Sequence, residues 1–354
     1  MKNQPQTVAF KAGERNIFFH ILTACNLRCH HCYINFEQHG TNTLSIAEIE
    51  KWLRILRGDG PANVIFLGGE PTLHPDLPTA IRTARKLDYA VTVDSNGYML
   101  NNFLENVRPD EVDFLSFSLD GPNALVNDAI RGQGSFNVCT ANLQKAVALG
   151  FNVSVIYTVS RANIAHLAGM IPLLKNSGVK RFFIQVIGLR GKSAPAAKNG
   201  GRLGDSLGDS LDGSLQVSRD EWLAVVPKTA AMAAKAGIHV IYPKVFLEAE
   251  EDFACAGLVA ENFFVFPNGR VYRCPLCEDY PVNSYSMADN ALVRETGLRE
   301  EAFFALNIAE GCVMNKLLQP DTIEYNADGR PLRRISCCLL KQEIRPDLPP
   351  QSAA

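Results

Sequence analysis

Residues 17–33, IFFHILTACNLRCHHCY, place three cysteines directly after a short apolar run. The run Ile17–Leu22 is rich in β-branched and aromatic residues, and its length is typical of a buried parallel strand. Cys25, Cys29 and Cys32 follow with CX3CX2C spacing. In parallel α/β folds, binding sites form at the carboxyl ends of the strands, where this loop lies. The segment therefore predicts a thiolate site at one end of an α/β sheet.

Short apolar runs continue to alternate with amphipathic stretches up to about residue 190. The predicted strands are Ile17–Leu22, Val64–Leu67, Ala90–Asp94, Phe114–Leu119, Val153–Val159 and Arg181–Ile187. The predicted helices are Ile46–Leu56 with Ser45 as N-cap, Leu77–Leu87, Phe136–Ala148 and Ile164–Leu174. Strand alternating with helix implies βαβ units with right-handed crossovers. Six such units suit a partial (β/α)6 TIM-like barrel or an open α/β sheet, and the pattern does not separate the two.

Composition changes along the chain indicate its domain organisation. A stretch rich in Gly, Ser and Asp predicts a flexible insertion, after which helix Arg219–Ala236 and strand His239–Tyr242 are expected. A small cysteine-rich domain follows the barrel. The expected divisions are an N-terminal extension (1–14), the barrel (15–248) with its insertion (190–217), the cysteine-rich domain (249–345) and a disordered tail (346–354).

The overall composition disfavours several classes of protein. The 354 residues carry a formal net charge of −2, so no global positive field draws the chain to nucleic acid. No apolar run approaches the roughly 20 residues of a membrane span, and the first residues resemble no secretory signal. We therefore expect a cytoplasmic protein. In a reducing compartment, ten cysteines indicate metal ligands or redox groups rather than disulfides.

Two kinds of site suit the three-cysteine loop. Thiolates bind iron–sulfur clusters, and three cysteines leave one iron of a four-iron cubane without a protein thiolate. The alternative is zinc, with His20, His30 or His31 as a fourth ligand. Structural zinc usually pairs two short Cys/His clusters, and no second pair stands nearby in the sequence. The spacing therefore favours the iron–sulfur cluster.

The segment Thr23-Ala24-Cys25 through Cys32-Tyr33 resembles the signature of the radical S-adenosylmethionine (SAM) superfamily. The resemblance implies a [4Fe–4S] cluster on Cys25, Cys29 and Cys32, whose open iron binds the amino and carboxylate groups of SAM. It also implies reductive cleavage of SAM to a 5′-deoxyadenosyl radical, which abstracts a substrate hydrogen. The resemblance covers about residues 15–190, usually a six-unit partial barrel. A flavodoxin or ferredoxin is the implied electron donor.

Further motifs at successive strand ends strengthen this resemblance, although each alone is typical of an ordinary polar turn. GGEP at 68–71 resembles the motif that binds the SAM amino group, and Ser95-Asn96-Gly97 resembles the segment beside the ribose. SLDG at 118–121 with a later RG resembles the subgroup that carries auxiliary clusters. Asp120 either faces substrate or caps a turn. The implied SAM contacts are Gly68, Gly69, Glu70, Ser95, Asn96, Ser118 and Arg131.

Six cysteines after residue 254 form a second group. The sequence NFFVFPNGRVYRC predicts a β-hairpin that brings Cys255 and Cys274 together. Cys255, Gly269 and Cys274 resemble the CX9–15GX4C hallmark of SPASM and twitch domains, which hold auxiliary [4Fe–4S] clusters. Six thiols cannot fill two four-thiolate cubanes, so we expect one auxiliary cluster. A structural zinc site stays an alternative. The expected ligands are Cys255, Cys274, Cys312 and Cys337, with Cys277 competing with Cys312, and Cys338 with Cys337.

Two functions follow from these patterns. The first is a radical SAM oxidoreductase or maturase that acts on a peptide, a protein side chain or a small cofactor precursor. The second is a non-catalytic iron–sulfur electron-transfer or metal-binding protein, which predicts no SAM binding. An RNA-modifying enzyme would be expected to carry a basic domain, and none is evident. The sequence leaves the substrate undetermined.

Overall fold

The protein is described by a computed structural model that covers residues 4–194, 215–248, 251–288, 290–319 and 323–346. The strands, in chain order, are β1 (Gln6–Val8), β2 (Arg15–His20), β3 (Ala62–Leu67), β4 (Tyr89–Ser95), β5 (Phe114–Ser118), β6 (Val153–Val159), β7 (Arg181–Val186), β8 (His239–Pro243), β9 (Phe246–Leu247), β10 (Glu261–Val265), β11 (Arg270–Tyr272), β12 (Tyr285–Ala288), β13 (Ala291–Arg294), β14 (Arg334–Ile335) and β15 (Lys341–Ile344).

The α-helices pack between and beside these strands. They are α1 (Phe36–His39), α2 (Ile46–Leu56), α3 (Leu77–Lys86), α4 (Phe103–Asn106), α5 (Ala124–Arg131), α6 (Ser135–Ala148), α7 (Met170–Asn176), α8 (Arg219–Lys235), α9 (Ala256–Val259), α10 (Glu301–Phe304) and α11 (Val313–Leu318).

Strands β2 to β8 lie side by side in sequence order, and every neighbouring pair among them is parallel. The prediction of a parallel α/β sheet is therefore confirmed. β8 adds a seventh parallel strand to the six counted from the first 190 residues. The sheet stays open, since β1 and β13 are its two edges. An open parallel sheet wound by right-handed crossovers is consistent with the expected partial barrel.

The C-terminal region adds strands to both sides of the parallel sheet. β10 lies beside β2 and runs parallel to it, with Phe263 opposite Ile17, and then continues as the predicted hairpin into β11. On the other side, β15 pairs antiparallel with β8, and β1 pairs with β15. The residues expected to form a separate N-terminal extension and a separate C-terminal domain thus contribute strands to the barrel sheet.

The two faces of the parallel sheet differ in burial. Along β3, Val64 and Phe66 are fully buried, whereas Ile65 and Leu67 between them are half-buried. The buried side chains join the main hydrophobic core together with helix residues such as Ile49. Because side chains alternate across a strand, one face packs under the helices and the other retains access to water. We call this second face the inner face.

Local sequence signals explain where the helices begin. Ser45 caps α2 as predicted: its side chain accepts a hydrogen bond from the Glu48 N–H, and the Glu48 carboxylate accepts one from the Ser45 N–H at 2.7 Å. The predicted helix Ile164–Leu174 instead divides into a 3-10 segment over 164–169 and α7. Pro172 lies in the first turn of α7, where its missing N–H costs no intrahelical bond.

The predicted insertion at 190–217 differs from the structure at both of its ends. Arg190 packs on the ring of Tyr33, residues 191–193 form a short 3-10 turn, and Val217 is part of the main core. Residues 195–214 lie outside the described residues, as do residues 347–354 of the predicted tail. Among the helices that the structure describes, none combines the length and apolar character needed to cross a membrane.

Candidate functional site

The three-cysteine loop follows β2 at the carboxyl end of the parallel sheet. Cys25 is exposed, and Cys29 and Cys32 are partly buried. The Leu27 N–H donates to the Cys25 Sγ at 3.4 Å. Burial, together with repulsion from Glu70 and the other two cysteines, raises the pKa of the Cys25 thiol to about 11. Three neighbouring thiols can all be deprotonated only when a positively charged group lies close to them. Three thiolates are the ligands that an iron–sulfur cluster or a metal ion needs.

Gly68 and Gly69 let β3 approach the backbone of the cysteine loop. The Gly69 N–H donates to the Leu22 carbonyl at 2.9 Å, and the Glu70 N–H donates to the Ala24 carbonyl at 2.9 Å. A Cβ added at Gly69 would lie 2.2 Å from the Ala24 oxygen, and one at Gly68 would lie 2.7 Å from the Leu22 oxygen. Glycine is therefore required here for contact with the loop itself, whereas the sequence suggested approach to a ligand.

Glu70 connects this turn to the end of β4. Its carboxylate is buried and accepts hydrogen bonds from the Thr72 hydroxyl at 2.6 Å, the Ser95 hydroxyl at 2.8 Å and the Asn96 N–H at 2.7 Å. Burial raises the pKa of Glu70. The sequence predicts that this carboxylate binds the amino group of SAM. In the structure its oxygens accept hydrogen bonds from groups of the protein itself. Glu70 thus positions Ser95 and Asn96.

Asn96 reaches from β4 to the cysteine loop. Its Nδ2 donates to Asn26 Oδ1 at 2.9 Å and lies 3.7 Å from the Sγ of Cys25. The Ser95 hydroxyl accepts the Gly97 N–H at 2.9 Å. The structure therefore brings four sequence-predicted residues, Cys25, Glu70, Ser95 and Asn96, into one contiguous group. Ser118 is half-buried at the carboxyl end of β5, on the inner face.

Asp120 is the centre of a second buried group. Its Oδ2 lies 2.6 Å from Arg131 Nε and 3.1 Å from His31 Nε2, and its Oδ1 accepts the Thr158 N–H at 2.7 Å. Burial by itself would raise the pKa of Asp120, but Arg131 and His31 hold it at about 2. The Arg131 carbonyl lies 4.0 Å from the Sγ of Cys29. These contacts tie α5 to the cysteine loop.

Arg131 and His31 share Asp120 as a protein partner. Arg131, the expected partner of the SAM carboxylate, is buried, and its Nε lies 2.6 Å from the Oδ2 of Asp120. His31, one of the possible zinc ligands, also directs its Nε2 to Asp120. Asp120 and Arg131 are both buried, and each charge offsets part of the cost of burying the other. Asp120 therefore does not face the inner surface of the sheet as a free carboxylate.

His20, a second possible zinc ligand, faces the C-terminal region. Its Nε2 lies 2.7 Å from the Tyr33 hydroxyl, and its Nδ1 lies 3.1 Å from the Val265 carbonyl. The ring stacks on Phe266 with centroids 4.1 Å apart. Burial lowers the pKa of His20 to about 3, so the ring is neutral near pH 7. His20 thus joins the cysteine loop to β10.

The C-terminal cysteines surround one apolar pocket. Its wall contains all four predicted auxiliary ligands and one further cysteine, together with apolar side chains such as Phe304 and Met314. These five cysteines are Cys255, Cys274, Cys312, Cys337 and Cys338. From the sequence we expected only one of the adjacent residues Cys337 and Cys338 to take part. In the structure both line the pocket.

The thiols of this pocket also contact one another. Interaction with the Cys255 and Cys338 thiols lowers the pKa of Cys337, and interaction with the Cys277 thiol raises the pKa of Cys274. Burial raises the pKa of the Cys312 thiol to about 11. A wall that contains five cysteines supplies the type of donor that iron–sulfur and zinc sites use.

Glu300 organises the backbone around Cys274, and sequence reasoning did not find it. It is fully buried, and its carboxylate accepts the Cys274 N–H at 2.9 Å, the Arg273 N–H at 2.8 Å and the Ser284 hydroxyl at 2.6 Å. Burial raises its pKa to about 7. A single glutamate on a polar stretch has no sequence signature, so only the folded structure could identify it.

A bridge joins the two cysteine regions. The Arg190 guanidinium lies 4.6 Å from the centroid of the Tyr33 ring and forms an ion pair with Glu278, next to Cys277. The Gly191 N–H donates to Asp279 at 2.9 Å. Gly191 has φ +58°, and an added Cβ would lie 2.5 Å from the Cys32 carbonyl oxygen. We call residues 190–192 with Glu278 and Asp279 the inter-cluster bridge.

No single-ion site is preformed in the parts of the chain that the structure describes, since no three His, Cys, Asp or Glu side chains converge as one metal ion requires. The ligands of a cubane bind separate irons, so their sulfur atoms need not meet at one point.

The protein-family comparison agrees with the site geometry. A family profile described as the radical SAM superfamily matches residues 20–174. Residues 20–174 are thus similar to the radical SAM superfamily. The match contains the cysteine loop, the GGEP turn, Ser95-Asn96 and the Asp120–Arg131 pair, and it ends within α7.

Curated proteins similar to this part of the chain include a synthase and a maturase. Over 172 residues the chain is 28% identical to the Fe-coproporphyrin III synthase of Methanosarcina barkeri, with 47% of this chain and 42% of that protein covered. Over 147 residues it is 34% identical to the mycofactocin maturase MftC of Mycobacterium tuberculosis, with 41% and 37% covered. The chain thus spans less than half the length of these relatives.

Solved structures share the fold beyond the radical SAM domain. Streptococcus suis SuiB bound to its precursor peptide SuiA aligns with a TM-score of 0.60 at 12% identity, with 78% of this chain and 63% of that chain covered. Native anSMEcpe with bound AdoMet aligns with a TM-score of 0.56 at 14% identity, with 89% and 85% covered. At these identities the likeness concerns the fold alone.

Proposed function

We propose that this chain is a radical SAM enzyme that cleaves SAM reductively and abstracts a hydrogen from its substrate, in peptide or protein maturation or in cofactor biosynthesis. The observation that carries the proposal is the contact between the three-cysteine loop and the GGEP and Ser95-Asn96 turns. These three segments are the ones whose sequences resemble the cluster-binding and SAM-binding motifs of the family. Their convergence at one end of the sheet supports a shared site.

In this proposal Cys25, Cys29 and Cys32 hold a [4Fe–4S] cluster. With SAM bound, the cluster supplies the electron that generates a 5′-deoxyadenosyl radical. Gly68, Gly69 and Ser118 remain proposed SAM contacts, together with Ser95 and Asn96. Glu70 and Arg131 remain proposed SAM contacts as well, and their charged groups also hold Asn96 and Asp120 in place. The half-buried inner face of the sheet is the proposed place for the substrate.

The C-terminal thiol pocket is proposed to hold one auxiliary [4Fe–4S] cluster, as the resemblance to SPASM and twitch domains implies. Cys255, Cys274, Cys312 and Cys337 remain the proposed ligands. Cys338 is an additional candidate because it lines the same pocket, and Cys277 is another because it contacts Cys274. A flavodoxin or ferredoxin is the proposed electron donor, and the cytoplasm the proposed location. Zinc in this pocket is the alternative.

The names of the relatives suggest two substrate classes. One relative is a synthase of an iron tetrapyrrole, and another is a maturase that is named for mycofactocin. SuiB was crystallised with a precursor peptide. A peptide or a small cofactor precursor therefore stays the proposed substrate of this chain.

Anaerobic reconstitution followed by an assay for 5′-deoxyadenosine tests the proposed chemistry. The reduced wild type is expected to form 5′-deoxyadenosine from SAM, and Cys29→Ala is expected to abolish this product. Cys139→Ala is the matched control, because Cys139 is a buried thiol on α6 outside both cysteine groups. Reductive SAM cleavage by Cys29→Ala would contradict the assignment of the cluster site.

Iron and sulfide analysis counts the clusters. Together with the SAM assay, it distinguishes an enzyme from a non-catalytic electron-transfer protein. Two cubanes give about eight irons per chain, and a variant lacking Cys25, Cys29 and Cys32 should retain about four. Zinc in place of the remaining iron would exclude the auxiliary cluster. A fully loaded protein that neither binds nor cleaves SAM would indicate a non-catalytic electron-transfer protein.

A further inference from the structure

Asp94 is the one carboxylate among the inward-facing residues of β2 to β8, all of which lie within the described ranges. On β4, Val91 and Val93 are fully buried in the main core, so the side chain of Asp94 next to them faces inward. Asp94 is half-buried there. It directly precedes Ser95 and Asn96, two of the proposed SAM contacts. Asp94 therefore lies on the inner face at the edge of the proposed SAM site.

Two serine hydroxyls continue from Asp94 across the neighbouring strands. Ser116 of β5 lies opposite Asp94, and Ser154 of β6 lies opposite Ser116. Both serines are buried, and their Oγ atoms lie 2.7 Å apart. A hydroxyl has a single hydrogen, so when Ser154 donates to Ser116, the hydrogen of Ser116 is available for the Asp94 carboxylate. The three side chains thus form one polar row on the inner face.

Arg181 acts on Asp94 from a distance and forms no ion pair with it. Arg181 lies opposite Ser154, and its Cζ lies 4.0 Å from the centroid of the Phe114 ring. In the part of the chain that the structure describes, no cationic nitrogen lies within the 4.0 Å of an ion pair with Asp94. Burial raises the pKa of Asp94 to about 6, although Ser116 and Arg181 act in the opposite direction. The carboxylate is therefore mostly ionised at pH 7 and can accept further hydrogen bonds.

We propose that Asp94 binds a nitrogen group of the substrate through its N–H donors, on the inner face of the sheet beside SAM. The inference rests on the proposed function and adds the chemical class of the group that is recognised. An ammonium or a primary amide carries two or three hydrogens, and an ionised carboxylate accepts such hydrogens strongly. A carboxylate or phosphate of the substrate does not fit, because Asp94 would repel it. An apolar group would bury the charge without a partner.

Titration calorimetry on the reconstituted, SAM-loaded full chain tests this inference under anaerobic conditions. The probes are n-butylammonium, for an amine, and butyramide, for an amide. Their controls are butyltrimethylammonium, which keeps the charge without N–H donors, and methyl butyrate, which keeps the carbonyl group without them. We expect at least one N–H probe to bind roughly tenfold more tightly than its control, as a hydrogen bond to a charged group predicts. The tighter N–H probe indicates whether the substrate presents an amine or an amide.

Variants at position 94 locate the binding site. Asp94→Asn and Asp94→Ala are each expected to weaken binding of the N–H probe by roughly tenfold, because each removes the charged acceptor. Asp94→Glu retains the carboxylate and should recover part of the binding. Asp59→Asn is the matched control, since Asp59 is exposed in the loop before β3, and it should leave the affinity unchanged. The affinity for SAM should be the same in Asp94→Asn and wild type. Iron content and circular dichroism verify that each variant is folded and loaded.

The proposal is overturned if neither N–H probe binds more tightly than its control, or if folded Asp94→Asn and Asp94→Ala bind the probe like the wild type. It is also overturned if Asp94→Asn loses affinity for SAM, because Asp94 then belongs to the SAM site. The wild-type assay for 5′-deoxyadenosine separates these failures from that of the proposed function. SAM cleavage without probe binding refutes the further inference alone. Probe binding without SAM cleavage refutes the radical chemistry and supports the nitrogen-binding site.

Discussion

At the scale of single residues, buried carboxylates determine how the site is arranged. Glu70, Asp120 and Glu300 each bind several backbone or side-chain donors from segments distant in sequence. A buried carboxylate needs such partners, because leaving its lone pairs unsatisfied costs free energy. Each of these residues therefore holds a loop that carries a cysteine or a proposed SAM contact.

Replacing Glu70 with Gln should weaken this arrangement. The amide has one acceptor oxygen instead of two, so its NH2 group would face either the Asn96 N–H or the hydroxyls of Thr72 and Ser95. We expect a loss of roughly 1–3 kcal/mol of unfolding free energy and reduced 5′-deoxyadenosine formation. Urea denaturation measures the first, and Glu37→Gln, at an exposed site, is the control. Equal stability of Glu70→Gln and wild type would show that the carboxylate contacts are not needed.

Asp94 should make stability depend on pH. Burial raises its pKa to about 6 from the usual 3.8, so the folded chain retains this proton where the unfolded chain has lost it. Its stabilising contribution is full below pH 4 and decreases as the pH rises through 6. Relative to wild type, Asp94→Asn should gain roughly 1–3 kcal/mol between pH 4 and 7. Parallel urea titrations at both pH values measure the difference, and a constant difference would contradict the shift.

At the scale of elements, the inter-cluster bridge connects the two cysteine regions. The Lys192 N–H donates to the Cys32 carbonyl at 2.9 Å, and Arg190 pairs with Glu278 beside Cys277. Residues 190–192, shortly after β7, thus contact both loops. Burial raises the pKa of Glu278 to about 8 in spite of the neighbouring guanidinium, which reflects how little water reaches this pair.

Removing one partner of the bridge should cost more than removing both. Arg190→Gln leaves Glu278 buried without its cation, and we expect a loss of about 3–5 kcal/mol of unfolding free energy. The double variant Arg190→Gln/Glu278→Gln should recover part of this loss, because no buried charge remains. A double-mutant cycle by chemical denaturation measures the coupling. Additive effects of the two substitutions would indicate that the ion pair does not connect the regions.

At the scale of the whole molecule, the C-terminal region is part of the barrel sheet. β10 covers the β2 side, where the Phe18 and Phe264 rings stack with centroids 4.4 Å apart, and β15 covers β8. Exposed strand edges favour aggregation, so a chain without these strands lacks protection on both sides.

Truncation after residue 248 is therefore expected to produce an aggregating chain that forms no 5′-deoxyadenosine. Truncation after residue 346 keeps β10 and β15 and serves as the control, with folding and activity expected to remain. Size-exclusion chromatography and circular dichroism measure the outcome. A monomeric, cooperatively folded 1–248 fragment would show that the barrel does not depend on the C-terminal strands.

The sequence predicted the local features because each has a short-range physical cause. Short apolar runs rich in β-branched residues identified the strands, and Ser45 as N-cap identified the start of α2. The cysteine spacing and the glycines at 68 and 69 identified the loop that the strands support. The role of Arg190 was not predictable in this way, because its partner Glu278 is 88 residues away.

By itself, the sequence determined the parallel α/β sheet, the three-thiol loop at a strand end and the cysteine-rich C-terminal region, since periodicity and spacing are local properties. The tertiary structure alone decided that Glu70 and Arg131 bind protein groups, that Cys338 joins the thiol pocket, and that Asp94 lies in one row with Ser116 and Ser154. Those facts depend on which distant side chains meet in a buried environment, where unpaired charge is costly.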